Sequence, residues 1–215
     1  MNARSNASAG FTLVEVLIAA ILVSVLFAAL SMTMKGGSAA YHQGVSNTTA
    51  ESQARRGLDR IVAELGDAES TTMLPQPVGP LGSATLTFHR STGAAGGAIT
   101  WGADRTIQFQ YEAAEADDGI DNDGDGLIDE GRVVLIENAG LPNATTQVLC
   151  PNVREYLEGE VPNGVDDNGN GLIDEQGLSF ELVGGTLRVR LTVERTNEVG
   201  SRVLRTVETS VWVHN

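Results

Sequence analysis

Apolar residues are concentrated near the amino terminus in one stretch that runs from Gly10 to Met32. About 20 apolar residues, at roughly 1.5 Å of rise each, are enough to cross the hydrocarbon core of a bilayer. The stretch contains a single charged residue, Glu15, and no Lys or Arg that would neutralise it. A carboxylate at membrane depth costs roughly 2.5–3.5 kcal/mol, so we expect Glu15 to have a partner.

A second pattern covers residues 48–65. Apolar side chains recur there at spacings of three and four, while charged residues occupy the other faces, as in an amphipathic helix that packs on a sheet. The apolar positions are Ala54, Leu58, Ile61, Val62 and Leu65. No proline separates this pattern from the apolar stretch, so we predict one helix over Phe11–Leu65. Residues 11–37 would form its membrane or filament-core half, and residues 38–66 its amphipathic half.

The remainder, residues 67–215, contains short runs in which apolar and polar residues alternate, which is typical of strands with one solvent-exposed face. The predicted strands are Ala84–His89, Thr106–Tyr111, Arg132–Glu137, Gln147–Cys150, Leu178–Val183, Thr186–Glu194 and Arg202–Val213. Asn197–Gly200 would form the turn of a hairpin between the last two. The Gly- and Ala-rich segment Ser91–Gly97 is predicted to be a mobile tip. The predicted fold class is α+β, a long amino-terminal helix packed on an antiparallel β-sheet head.

The residues Gly10-Phe11-Thr12-Leu13-Val14-Glu15 open the apolar stretch. Their order resembles the processing site of type IV prepilins and type II secretion pseudopilins. The resemblance implies cleavage after Gly10 by prepilin peptidase, methylation of the new amino terminus at Phe11, and a charge pair between Glu15 and the Phe11 amine of a neighbouring subunit. Such a pair would set the axial register of stacked helices. The predicted layout is pilin-like, and its large head resembles minor pseudopilins of the J or W type.

Two simpler interpretations of the apolar stretch remain open. A secretory signal peptide has a shorter apolar core that is followed by a small-residue cleavage site, whereas Gly10 precedes the apolar run here. A plain membrane anchor would explain the length of the run but not Glu15. The leader, residues 1–10, contains only one basic residue, Arg4, so charge says little about membrane orientation.

The formal net charge of the 215-residue chain is −14. Much of the acidic excess lies in two short segments, residues 117–131 and 162–176, so it belongs to two sites and not to the whole surface. Without a basic patch we expect no nucleic-acid partner. Cys150 is the one cysteine, so an internal disulfide is excluded, and a buried apolar environment for its thiol is expected.

The two acidic segments are copies of one another. Gly119–Glu130 and Gly164–Glu175, which are 45 residues apart, are identical at eight of twelve positions, and the differences are Ile/Val and Asp/Asn exchanges. Alternating oxygen-bearing side chains followed by glycine allow a short loop to curve around a hard cation. The ligands would be side-chain oxygens, with a backbone carbonyl from Leu127 and from Leu172. The side chains are those of Asp121, Asp123, Asp125 and Asp129 in the first loop, and of Asp166, Asn168, Asn170 and Asp174 in the second.

The loops do not fit an EF-hand, because the twelfth loop position is Arg132 in one copy and Gly177 in the other. Their residue order resembles the calcium-binding aspartate repeats of thrombospondin type 3. Acids outside the core motif, such as Asp118, Glu130 or Glu175, would complete the coordination shell of the ion. Oxygen ligands favour Ca²⁺, so we predict two bound Ca²⁺ ions that stabilise the head. The second loop, with fewer charges, should bind more weakly. A solvated acidic turn without metal is the alternative.

The sequence therefore predicts a filament subunit, a minor pilin or pseudopilin of a type IV pilus or type II secretion system. It would be a single-pass protein of the inner membrane with a periplasmic or extracellular head. The implied partners are other pilin subunits, prepilin peptidase, the inner-membrane assembly platform and the membrane. The alternative is a membrane-anchored, calcium-dependent surface or adhesion protein with a prepilin-type export signal. We find no catalytic set of residues, so no enzymatic function is expected.

Overall fold

The computed structural model describes residues 11–197 and 200–213. Gly10, the predicted cleavage position, lies outside them. The chain divides into two compact units, one up to Gln43 and one from Gly44 onward, which are described separately. Helix α1, Leu13–Leu65, contributes to both.

In the first unit α1 begins at Leu13, two residues later than predicted, because Thr12 serves as its amino-terminal cap. All side chains from Phe11 to Tyr41 are exposed to solvent in the single chain. The helix continues through Gly36 and Gly37. It is long and apolar enough to cross a membrane.

In the second unit the carboxy-terminal part of α1 buries one face against the sheet. Ala54, Leu58, Ile61 and Leu65 are buried, as their spacing predicts, whereas Val62 is half-buried. The sequence pattern did not single out Gly57, which lies on the same buried face. A Cβ at Gly57 would approach the Sγ of Cys150 to 2.6 Å, so glycine lets the helix lie directly on the strand that carries Cys150.

Nine strands are described: β1 (Thr85–Phe88), β2 (Ser91–Ala95), β3 (Ala98–Trp101), β4 (Arg105–Tyr111), β5 (Glu130–Glu137), β6 (Thr145–Arg154), β7 (Leu178–Val183), β8 (Thr186–Thr196) and β9 (Arg202–Trp212). Seven of them form one sheet in the order β1-β4-β5-β6-β8-β7, with β9 paired to β8. Every pairing is antiparallel. The α+β, pilin-like arrangement of a long amino-terminal helix and an antiparallel sheet is therefore confirmed.

The segment Ser91–Gly97, predicted to be a mobile tip, has regular structure, and its mobility stays a prediction. Its residues form β2 and the turn of a two-stranded hairpin with β3, separate from the main sheet. Two glycines in the turn, Gly96 and Gly97, have positive φ angles of 62° and 83°. Glycine adopts such angles readily, so these residues allow a tight turn between the two strands. The predicted β8–β9 hairpin is confirmed.

The two acidic loops leave the sheet at neighbouring positions. The first loop connects β4 to β5 and the second connects β6 to β7. Glu130, which ends the first loop, is paired across strands with Arg154, which precedes the second. The hydroxyl of Tyr111, at the end of β4, donates a hydrogen bond of 2.6 Å to Glu155. Both loops therefore lie at the same end of the strands of the sheet.

Candidate metal centre and N-terminal processing site

The first acidic loop is curled by hydrogen bonds from its own backbone to its aspartates. The carboxylate of Asp121 accepts from the N–H groups of Gly124 at 2.6 Å and Gly126 at 2.9 Å. Asp123 accepts from the N–H of Asp125 at 3.0 Å, and Asp125 accepts from that of Leu127 at 2.8 Å. This curl brings one oxygen from each of the three aspartates within 4.8 Å of the others.

The second loop repeats this geometry at the shifted positions. Asp166 accepts from Gly169 at 2.7 Å and from Gly171 at 2.8 Å. The side-chain oxygens of Asn168 and Asn170 accept from backbone N–H groups two residues later, at 3.0 and 2.8 Å. Gly126 and Gly171 share a φ of 90°. The sequence repeat is thus also a repeat of backbone conformation.

Asp129 and Asp174 close the loops. The carboxylate of Asp129 accepts from the N–H groups of Asp118 and Gly119 at 3.0–3.1 Å, and that of Asp174 accepts from Asn163 and Gly164 at 3.0–3.2 Å. Both aspartates have a positive φ of 52°. These bonds leave lone pairs on the carboxylate oxygens, and the role of both aspartates as ligands stays a prediction.

The two predicted carbonyl ligands differ in their surroundings. The side chain of Leu127 is buried and anchors the first loop in the head, whereas that of Leu172 is half-buried. The first loop also rests on β8, where the hydroxyl of Thr196 donates to the carbonyl of Asp125 at 3.2 Å. The first loop is therefore the more firmly anchored of the two. Coordination by either carbonyl stays a prediction.

Two glutamates that the sequence analysis did not single out lie under the loops. Glu115 accepts from the N–H groups of Asn122 and Asp123 at 3.1 and 3.0 Å. Glu160 accepts from the N–H groups of Asn168 and Asp174 at 3.1 and 3.2 Å. Glu115 is 8% exposed and Glu160 is fully buried. They too are 45 residues apart, so extending the repeat a few residues toward the amino terminus would have found them.

Glu130 and Glu175, at the other end of each loop, are both 2% exposed. Burial, together with the charges of Asp125, Glu115 and Asp123, raises the pKa of Glu130 to about 7. One oxygen each of Glu115, Glu130 and Glu175 is buried without a hydrogen-bond partner among the described residues. Buried carboxylate oxygens without donors are costly, and a hard divalent cation would satisfy them. The oxygen-rich donor set therefore fits Ca²⁺.

At the amino terminus, Thr12 and Glu15 form a reciprocal cap. The carboxylate of Glu15 accepts from the N–H of Thr12 at 2.8 Å and from its hydroxyl at 2.9 Å, while the Thr12 hydroxyl accepts from the N–H of Glu15 at 3.2 Å. This is a capping box, which a Thr followed three residues later by Glu before an apolar run indicates. Glu15 thus has a local partner within the single chain.

The amino-terminal segment that contains Thr12 and Glu15 matches a known family motif. Residues 5–31 match the family described as the prokaryotic N-terminal methylation motif. The chain carries a prepilin-type methylation motif. The matched residues contain the candidate processing residues Gly10 and Phe11 as well as Glu15, and they end inside the apolar half of α1.

The methylation motif covers a small part of the chain, and the head lies outside it. No curated protein and no solved structure matches the chain.

Proposed function

We propose that this chain is a filament subunit, a minor pilin or pseudopilin of a type IV pilus or type II secretion system. The observation that carries the proposal is the methylation motif at residues 5–31, which runs into a helix whose side chains up to Tyr41 are all exposed. A long apolar helix surface in a single chain needs a membrane or the helices of other subunits to cover it. A filament subunit has both in turn, because the bilayer covers this surface before assembly and the helices of other subunits cover it afterwards.

Glu15 supplies the pairing element of the proposed filament. Its bonds to Thr12 are made by a peptide N–H and a hydroxyl, which leaves its negative charge uncompensated by any cation of the stretch. Two unit charges about 4 Å apart attract by about 1 kcal/mol in water and about 4 kcal/mol at an effective dielectric constant of about 20. The amine of a processed Phe11 from the next subunit would therefore be held more strongly in the filament than in solution.

Replacement of Glu15 separates the charge from the helix cap. Glutamine at the third helical position maintains a capping box, so Glu15→Gln removes the charge while the helix start is kept, and Glu15→Ala removes both. We expect neither variant to enter filaments purified from cells, although both accumulate in the membrane. Normal incorporation of Glu15→Gln would contradict the charge pair. Surface function of both variants without assembly would favour the alternative, a membrane-anchored adhesion protein.

We further propose that calcium binds both acidic loops and stabilises the head. The supporting observations are the converging oxygens of Asp121, Asp123 and Asp125 and the buried carboxylate oxygens that lack donors. Extracellular calcium modules bind with Kd values of roughly 10⁻⁴–10⁻³ M. The loops would thus fill once the head lies outside the cytoplasm.

Thermal unfolding of the full-length protein in detergent micelles tests the calcium proposal. Millimolar calcium is about ten times a Kd of roughly 10⁻⁴ M. At that ratio one site adds about 1.4 kcal/mol, which corresponds to a rise in melting temperature of about 3–6 °C in a domain of 150–250 residues. A matched control is Glu51→Gln, which removes an exposed acid that pairs with Arg55 one helical turn away. The control should show the full calcium-dependent rise. An unchanged melting temperature of the wild type between chelator and millimolar calcium would contradict the proposal.

A further inference from the structure

The acids of the first loop form two groups and not one. Ligand oxygens of one calcium ion lie about 2.4 Å from it, so any two of them are at most about 4.8 Å apart. Asp121, Asp123 and Asp125 meet this condition, and so do Glu115, Asp123 and Glu130. The two groups share Asp123. The first is at the surface of the loop, whereas the second is built on two glutamates that are 8% and 2% exposed.

The buried glutamates of the second loop receive more hydrogen bonds from the protein than those of the first, although one oxygen of Glu175 also lacks a partner. Both oxygens of Glu160 accept backbone N–H bonds, whereas one oxygen of Glu115, its counterpart, has no partner. Similarly, the side-chain amide of Asn170 donates to Glu175 at 2.5 Å. The position of Asn170 in the first loop is occupied by Asp125, a carboxylate that has no proton to donate.

We propose that Glu115, Asp123 and Glu130 bind a calcium ion of their own, at a buried position under the first loop that is distinct from the exposed position formed by Asp121, Asp123 and Asp125. This inference rests on the proposed calcium role of the loops and adds a further site to it. Asp123 bridges the two ions, and the second loop has no ion at its equivalent buried position.

The chemistry of the buried group explains why calcium is the ligand. Three carboxylates close together repel one another, and one buried oxygen each of Glu115 and Glu130 lacks a donor. A divalent cation removes most of that charge while it satisfies the free oxygens. The set contains oxygen donors and no sulfur or nitrogen, which favours a hard cation over zinc or copper. In the second loop Asn168 and Asn170 replace two carboxylates by neutral amides, and one of these amides donates to Glu175, so the need for an ion is smaller there.

Calcium stoichiometry of the full-length protein in detergent micelles tests the proposal, measured by equilibrium dialysis. The double variant Glu115→Gln/Glu130→Gln should bind one equivalent fewer than the wild type. The control variant Glu51→Gln, which removes an exposed acid that pairs with Arg55, should bind as many as the wild type. Addition of Asp121→Asn to the first variant should remove one further equivalent. In chelator, Glu115→Gln/Glu130→Gln should melt at a higher temperature than the wild type, which also shows that it is folded.

Three results would overturn the inference. If Glu115→Gln/Glu130→Gln binds as many ions as the wild type, the buried glutamates hold none. If Asp121→Asn removes no further equivalent from that variant, the first loop has a single ion shared by all five acids. If Glu51→Gln also loses an equivalent, the loss in the double variant is not specific to the buried glutamates. Absence of calcium binding by the wild type would instead contradict the calcium role in the proposed function.

Discussion

Asp125→Asn gives the first loop the side chain that the second loop has at the equivalent position, Asn170. In the second loop the side-chain oxygen of Asn170 keeps the turn by accepting from Leu172 at 2.8 Å, while its nitrogen donates to Glu175 at 2.5 Å. Asp125 makes the same turn bond, to Leu127 at 2.8 Å. An asparagine there would keep this bond and bring a new donor toward Glu130. It would also remove a negative charge that now raises the pKa of Glu130.

The size of the effect follows from the new bond. A hydrogen bond to a charged group contributes about 1.5–3 kcal/mol, and 1 kcal/mol shifts the melting temperature by about 2–4 °C in a domain of this size. In chelator, Asp125→Asn should therefore melt about 4–8 °C above the wild type for a gain of about 2 kcal/mol. Loss of a carboxylate ligand should weaken calcium binding about tenfold. The gain in unfolding free energy on adding calcium should therefore shrink by about 1.4 kcal/mol.

Thermal unfolding followed by near-ultraviolet circular dichroism, in chelator and in calcium, measures both effects on the full-length protein in micelles. Asn170→Asp is the matched reciprocal variant. It removes the donor to Glu175, and it should melt lower than the wild type in chelator and gain more from calcium. A melting temperature of Asp125→Asn at or below that of the wild type in chelator would refute the reasoning that the amide substitutes for the cation.

Two glycines allow further predictions. Gly57→Ala would place a Cβ 2.6 Å from the Sγ of Cys150; overpacking of about 1–3 kcal/mol outweighs the helix gain of about 1 kcal/mol, so urea unfolding should show a loss of stability. Gly126→Ala and Gly171→Ala both force alanine to a φ of 90°, which costs about 1–2 kcal/mol each. Gly126→Ala should cost more, because its Cβ would also lie 2.8 Å from Thr196, whereas Gly171 faces open space. Equal losses would contradict the contact with β8.

Periodicity identified the helix and most of the sheet because those elements bury one face. Ala54, Leu58, Ile61 and Leu65 are buried as their spacing requires, and the alternating runs before and after the β8–β9 turn pair as predicted. The acidic repeat likewise indicated two loops of one geometry. These signals are local, since each depends on residues a few positions apart in the chain.

Other features depend on distant or capping contacts. Glu115 and Glu160 accept hydrogen bonds from backbone N–H groups seven to fourteen residues away. Both glutamates lie outside the twelve-residue repeat that indicated the cation loops. The Gly- and Ala-rich segment after Ser91 has too weak an alternation to be recognised as a strand, yet it pairs with β3. The bonds between Thr12 and Glu15 belong to a capping box, for which the Thr-x-x-Glu spacing is a local signal.

Mass spectrometry of the amino-terminal peptide of the protein from its native membrane tests the filament account most directly. Processing at the methylation motif should remove residues 1–10 and leave a chain that begins with N-methylated Phe11. The matched variant Gly10→Val should retain the leader, since the small residue at the cleavage position is lost. A wild-type chain that begins with residue 1, or with an unmethylated residue elsewhere in the motif, would contradict the proposal that this protein is a processed filament subunit.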